Sequence, residues 1–90
     1  MDQPSIISKL KTIIANELDV NLTVDEIDEN TSLFEDGLGF DSIATVEMIS
    51  LVEKHFDVQF ADSELSPEYF GNLIILSKFI LSKKEAQVGA

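Results

Sequence analysis

Gly39-Phe40-Asp41-Ser42-Ile43 sets a hydroxyl at the opening of a predicted helix, in a chain with one histidine and no cysteine. A nucleophilic serine needs a base within hydrogen-bond reach. The only histidine, His55, lies thirteen positions further along the same predicted helix, and at 1.5 Å per residue the separation is about 20 Å. That excludes a Ser-His dyad within the chain. Asp41 suits the N-cap of this helix. A phosphate ester on Ser42 would then face unpaired amide N–H groups and the positive end of the helix dipole. The chemistry expected at Ser42 is modification by an anionic group, with no catalytic residue in the chain. His55, a lone surface histidine in this reading, has no companions for a metal or acid–base role.

The elements that position Ser42 are helical. Ile6, Ile7, Leu10, Ile13, Ile14 and Leu18 recur at three- and four-residue spacing after Pro4, which predicts a helix over 5–18. Residues 19–40 carry asparagine, threonine and glycine at turn positions and read as a long connection. Val20, Leu22, Val24, Ile27, Leu33, Phe34 and Leu38 can pin it onto the helices as an ordered surface. A second helix is predicted over 42–56, with Thr45, Met48, Ile49, Val52 and Phe56 on its core arc. Ile43, Glu47, Ser50 and Lys54 take the opposite arc, with Val46 and Leu51 at its margins. Ile43 and Leu51 are then apolar residues that the core does not claim, and with Asp41 and Glu47 they form a candidate docking face.

Val58 and Phe60 look strand-like but span too little for a sheet. Ser66 and Pro67 predict the cap and first residue of a short helix that ends at Gly71. Asn72 caps a last helix over 73–84, with Leu73, Leu76, Phe79 and Ile80 inward and a frayed tail from Glu85 to Ala90. The fold class is all-α, a four-helix bundle of three long helices and one short one with a long first loop. It forms one domain over residues 1–90, with its core at about 5–84.

Composition limits what this fold can do. Ninety residues at 44% hydrophobic content give one small core and no room for a multi-substrate cleft. The absence of cysteine removes disulfides and thiol catalysis together and fits a reducing compartment, so the chain is expected in the cytoplasm. The apolar run 73–76 stops at Ser77 and Lys78, far short of a membrane span. Net charge is −11. Between Lys11 and Lys54 stand eleven acids, among them Glu17, Asp41, Glu47 and Glu53, and no base. Nucleic acid and anionic membrane surfaces are disfavoured as partners, and proteins with Lys/Arg patches are favoured.

An acidic set of helices in this order, with Asp-Ser-Ile opening the second, resembles the acyl carrier proteins over residues 5–84. Gly39-Phe40-Asp41-Ser42-Ile43 is similar to the family's Gly-x-Asp-Ser-Leu with isoleucine in the last place, and Phe56-Asp57-Val58-Gln59-Phe60 and Asp62 agree with it. The resemblance implies that a phosphopantetheinyl transferase joins 4′-phosphopantetheine from coenzyme A to Ser42. The arm's thiol would replace the missing cysteine, and the transferase would supply base and metal. It further implies that Asp41 presents the site, that Ile43 docks in partner pockets and that Glu47 meets partner Lys or Arg. The core helices would line a cavity for the acyl chain. Partners implied are acyl-ACP synthetase, ketosynthase or acyltransferase enzymes of fatty-acid, polyketide or specialised lipid synthesis, served by a monomeric carrier. Ala44, Lys54 and His55 depart from the acids that fatty-acid carriers often have there. Ile74, Ile75 and Leu81 make the last helix more apolar than packing requires.

Three other readings compete. A peptidyl or aminoacyl carrier would use the same arm, but such carriers often have Gly-Gly-(His or Asp)-Ser, and Gly-Phe-Asp-Ser favours an acyl load. An unmodified helical interaction protein would keep the fold and lose the chemistry. An EF-hand register from Asp28 places Leu33 at the glycine position and Gly39 at the bidentate glutamate, so no metal site is expected.

Overall fold

The computed structural model describes residues 2–18, 22–34, 37–64 and 67–89, with the side chains of 62, 67, 68 and 87–89 left aside. All regular structure among them is helical: α1 at Gln3–Glu17, α2 at Ser42–Phe56, α3 at Pro67–Phe70 and α4 at Leu73–Gly89. Two 3-10 turns, Val24–Glu26 and Asp62–Glu64, punctuate the connections.

α1 begins two residues earlier than the apolar pattern predicts because Asp2 caps it, its Oδ1 accepting from Ser5 N at 3.0 Å. Ile6, Leu10, Ile13 and Ile14 form its buried stripe, and Ile7 is half-buried. α1 packs most extensively on α4, which contributes Leu73, Leu76 and Ile80 to the same core. Ser77 is buried there too. Its Oγ donates to Ile74 O at 2.8 Å and accepts from Gln3 Nε2 at 3.2 Å, so the hydroxyl that breaks the apolar run in sequence joins α1 to α4 in space.

The first connection is ordered. Ile27 and Leu33 are buried, and Leu22, Phe34 and Leu38 pack against the core. Val24 is 41% exposed, contrary to the pinning role expected of it, because it lies in a 3-10 turn that faces outward. Val20 lies outside the described residues, as do Asp19, Glu35 and Asp36. Lys11 Nζ holds Glu29 Oε1 at 3.4 Å, and Ile74 N donates to Glu29 O at 3.3 Å, so the loop is fastened to both α1 and α4.

Val58 is buried, and Phe60 belongs to an aromatic cluster with Phe70, Phe79 and, through Phe79, Tyr69. Pro67 opens α3 as expected, and Ser66, its expected cap, lies outside the described residues. Asn72 Oδ1 accepts from Ile75 N at 2.8 Å and caps α4. Phe79, expected inward, is half-buried in that aromatic cluster. Helix continues through Gly89, which corrects the tail expected from Glu85. Glu85, Ala86 and Gln87 all favour helix, and nothing before Gly89 interrupts them.

Candidate functional site

Ser42 stands on a platform built by residues 32–34 and 37–40. Leu38 N donates to Ser32 O at 2.8 Å, Gly39 N to Phe34 O at 2.8 Å and Phe40 N to Leu33 O at 2.9 Å. Leu33 N in turn donates to Gly71 O at 3.0 Å, which ties the platform to the junction of α3 and α4. Its two glycines are required for different reasons. A Cβ on Gly37 would lie 2.0 Å from Ser32 O, so backbone fills the space. Gly39 has open space around it but φ of +86°, a conformation that costs any L side chain energy. Leu33 and Phe40 are buried beneath, so the chain enters α2 from a fixed base.

Asp41 is extended and caps α2, its Oδ1 accepting from Ala44 N at 2.8 Å. Thr45 N and Thr45 Oγ1 both donate to Asp41 O, at 3.0 and 2.8 Å. Ser42 is the first helical residue and exposed. The N–H groups of Ser42 and Ile43 make no hydrogen bond among the described residues. An exposed hydroxyl beside two open amides at a helix N-terminus can carry a phosphodiester without steric or electrostatic conflict. Neither Asp41, engaged as the cap, nor His55, at the other end of α2 about 20 Å away along the helix, is placed to activate it. No group of three His, Asp or Glu side chains among the described residues could hold a metal ion.

The outer face of α2 is apolar and acidic near Ser42. Ile43 is 71% exposed and Val46 62%, with Asp41 and Glu47 also exposed. Met48, Val52 and Phe56 are buried on the opposite face, and Thr45 and Ile49 are half-buried at its edges. Leu51 requires correction: it is half-buried and packs against the core, so the second exposed apolar residue is Val46. The helical wheel places both at the margins of the outer arc. Neighbouring elements, which a wheel does not contain, decide between them.

His55 also requires correction. Its Nε2 lies 2.6 Å from Glu17 Oε2 of α1, so the half-buried ring faces a carboxylate and is not a partnerless surface group. Met48, Val52, Leu76 and Ile80 are buried in the core at 0–1% exposure. An open groove of about 640 Å³ lies elsewhere, over Ile7, Val24 and Ile74 with Lys11 and Glu29 at its edge. This groove accounts for Ile74, Leu81 packs against the core, and Ile75 remains 38% exposed.

Residues 8–69 match the family described as phosphopantetheine attachment site. The chain belongs to this family, as an acyl carrier protein. The acyl carrier protein of Clostridium acetobutylicum is 39% identical over 59 residues, which cover 66% of this chain and 73% of that one. Two solved structures share the fold. A carrier protein from Agrobacterium tumefaciens, in complex with an engineered Bradyrhizobium japonicum glycine:[carrier protein] ligase and ATP, aligns with a TM-score of 0.72. It is 22% identical and covers 86% of this chain and 97% of its own. The acyl carrier protein from Enterococcus faecalis aligns with a TM-score of 0.68 at 23% identity, over 92% of this chain and 99% of its own. The cofactor of the family is phosphopantetheine, and no helix among the described residues is long and apolar enough to cross a membrane.

Proposed function

We propose that Ser42 Oγ carries the 4′-phosphopantetheine arm and that this acyl carrier protein presents acyl groups, as thioesters of the arm's thiol, to biosynthetic enzymes in the cytoplasm. The observation that carries the reading is the geometry at Ser42: an exposed hydroxyl on the first turn of α2, held by a buried platform and given no base. Such a hydroxyl is a handle. The base and metal for its attack on coenzyme A belong to a phosphopantetheinyl transferase, and the chain itself is a substrate and shuttle with no catalytic residue. In this reading residues 1–90 make one domain, α3 counts as the short member of a four-helix bundle, and the carrier acts as a monomer.

Asp41, Ile43, Val46 and Glu47 form the face that partner enzymes meet, with half-buried Leu51 at its margin. Acyl-ACP synthetase, ketosynthase and acyltransferase enzymes with basic docking patches suit its acids. Incubation with coenzyme A and a broad-specificity transferase, followed by intact mass, tests the assignment. Ser42→Ala should lose the single adduct while keeping its helical circular dichroism. Loading that survives the substitution would move the attachment to another residue.

A further inference from the structure

The outer stripe of α2 changes sign along its length. Ile43, Glu47, Ser50 and Lys54 fall within an arc of about 60° at 100° per residue, and all four are exposed. Near Ser42 this stripe is apolar and acidic. Past Glu47 the only charge on it is Lys54, twelve residues and about 18 Å from Ser42. Two nearby carboxylates are directed elsewhere: Glu53 Oε2 accepts from Phe60 N at 3.0 Å, and Glu17 is turned to His55. Lys9 and Lys84 reach the same last turn from α1 and α4, donating to His55 O and Phe56 O. Lys54 makes no ion pair among the described residues, so its charge is available to a partner.

A uniformly basic docking surface laid along this stripe would meet its complement at Glu47 and a like charge at Lys54. We infer that the enzymes serving this carrier have a two-signed docking surface, with an apolar socket and basic groups beside the Ser42 hydroxyl and a carboxylate opposite Lys54. The inference rests on the Ser42 reading and adds the charge pattern of the partner to it. Lys54 thereby selects against enzymes whose docking surface is basic throughout.

The test uses coenzyme A loading of the full chain by a phosphopantetheinyl transferase with a uniformly basic carrier-binding surface. Lys54→Glu should raise kcat/KM about two- to fivefold, the worth of one exposed ion pair, and the gain should vanish at high salt. Lys78→Glu makes the same change of net charge from an exposed position on α4 and should leave kcat/KM unchanged. Changing the transferase's docking lysines and arginines singly to glutamate should yield one variant that prefers the natural carrier over Lys54→Glu. Equal kcat/KM for the two carrier variants, or no transferase variant that reverses the preference, overturns the inference and leaves Ser42 standing. Failure of the natural chain to load at all overturns the Ser42 reading and this inference with it.

Discussion

The two ends of α2 are held in opposite ways. At its last turn, Lys84 Nζ donates to Phe56 O at 2.9 Å, Lys9 Nζ to His55 O at 3.5 Å, and Glu17 meets His55. Lys9 also sits 5.2 Å above the Phe56 ring, whose edge of the core is closed. Two lysine ammonium groups thus complement the negative end of the helix dipole, and two elements grip it. At the first turn the cap comes from Asp41, the serine and isoleucine amides make no hydrogen bond among the described residues, and Ser42 is exposed. One end is anchored so that the other can be presented. The proposed loading of Ser42 would use this division, because a modified residue must be reached by partner enzymes without the helix beneath it shifting.

That contrast can be broken from the anchored side first. Phe56→Ala should cost about 3–5 kcal/mol as a core deletion, whereas Ile43→Ala on the presented side should cost less than about 1 kcal/mol and slow transferase loading instead. Chemical denaturation and loading rates measured on both variants would show a rotated helix if Ile43→Ala were the more destabilising. The platform gives a finer test. Gly37→Ala forces backbone against Ser32 and should lose about 1–3 kcal/mol together with loading rate. Gly39→Ala meets only its positive φ, should lose about 1–2 kcal/mol, and should load at close to the natural rate. The reverse order would mean that the Ser32 contact does not position Ser42.

The legibility of these features follows the range of the forces behind them. α2 is predicted to the residue, because Asp41 caps it, and Phe56 is followed by a residue that leaves the helix at once. The cap of α4 at Asn72 and the proline opening α3 are equally local signals, and the motif around Ser42 is short and contiguous. What escaped the sequence pattern depends on neighbours. Leu51 and Val46 are both marginal on a helical wheel, and only the packing around α2 decides which is covered. His55 finds Glu17 across 38 positions of sequence, a pairing that no periodicity encodes. The inward serine of α4 is satisfied by Ile74 O of its own helix and by Gln3 from α1, and the second of these contacts no periodicity encodes.

A smaller effect should separate local from global acid sensitivity. Ala61 N and then Lys83 hold the Glu64 carboxyl below its ordinary value of 4.5. A depressed folded value contributes stability above pH 4.5 that is lost as pH falls through the folded value. Glu64→Gln should therefore melt below the natural chain at neutral pH, with the gap closing under acid. A gap that is the same at both pH values would place its origin in packing of the Lys83 stem over Phe60 and Phe79.

The presented end is tested most directly by mapping the adduct on the natural chain, with and without transferase, in the presence of coenzyme A. One phosphopantetheine, formed only when transferase is present and located by fragmentation on Ser42, is the predicted result. An adduct that forms without the transferase, or that lies on any other serine, would contradict it.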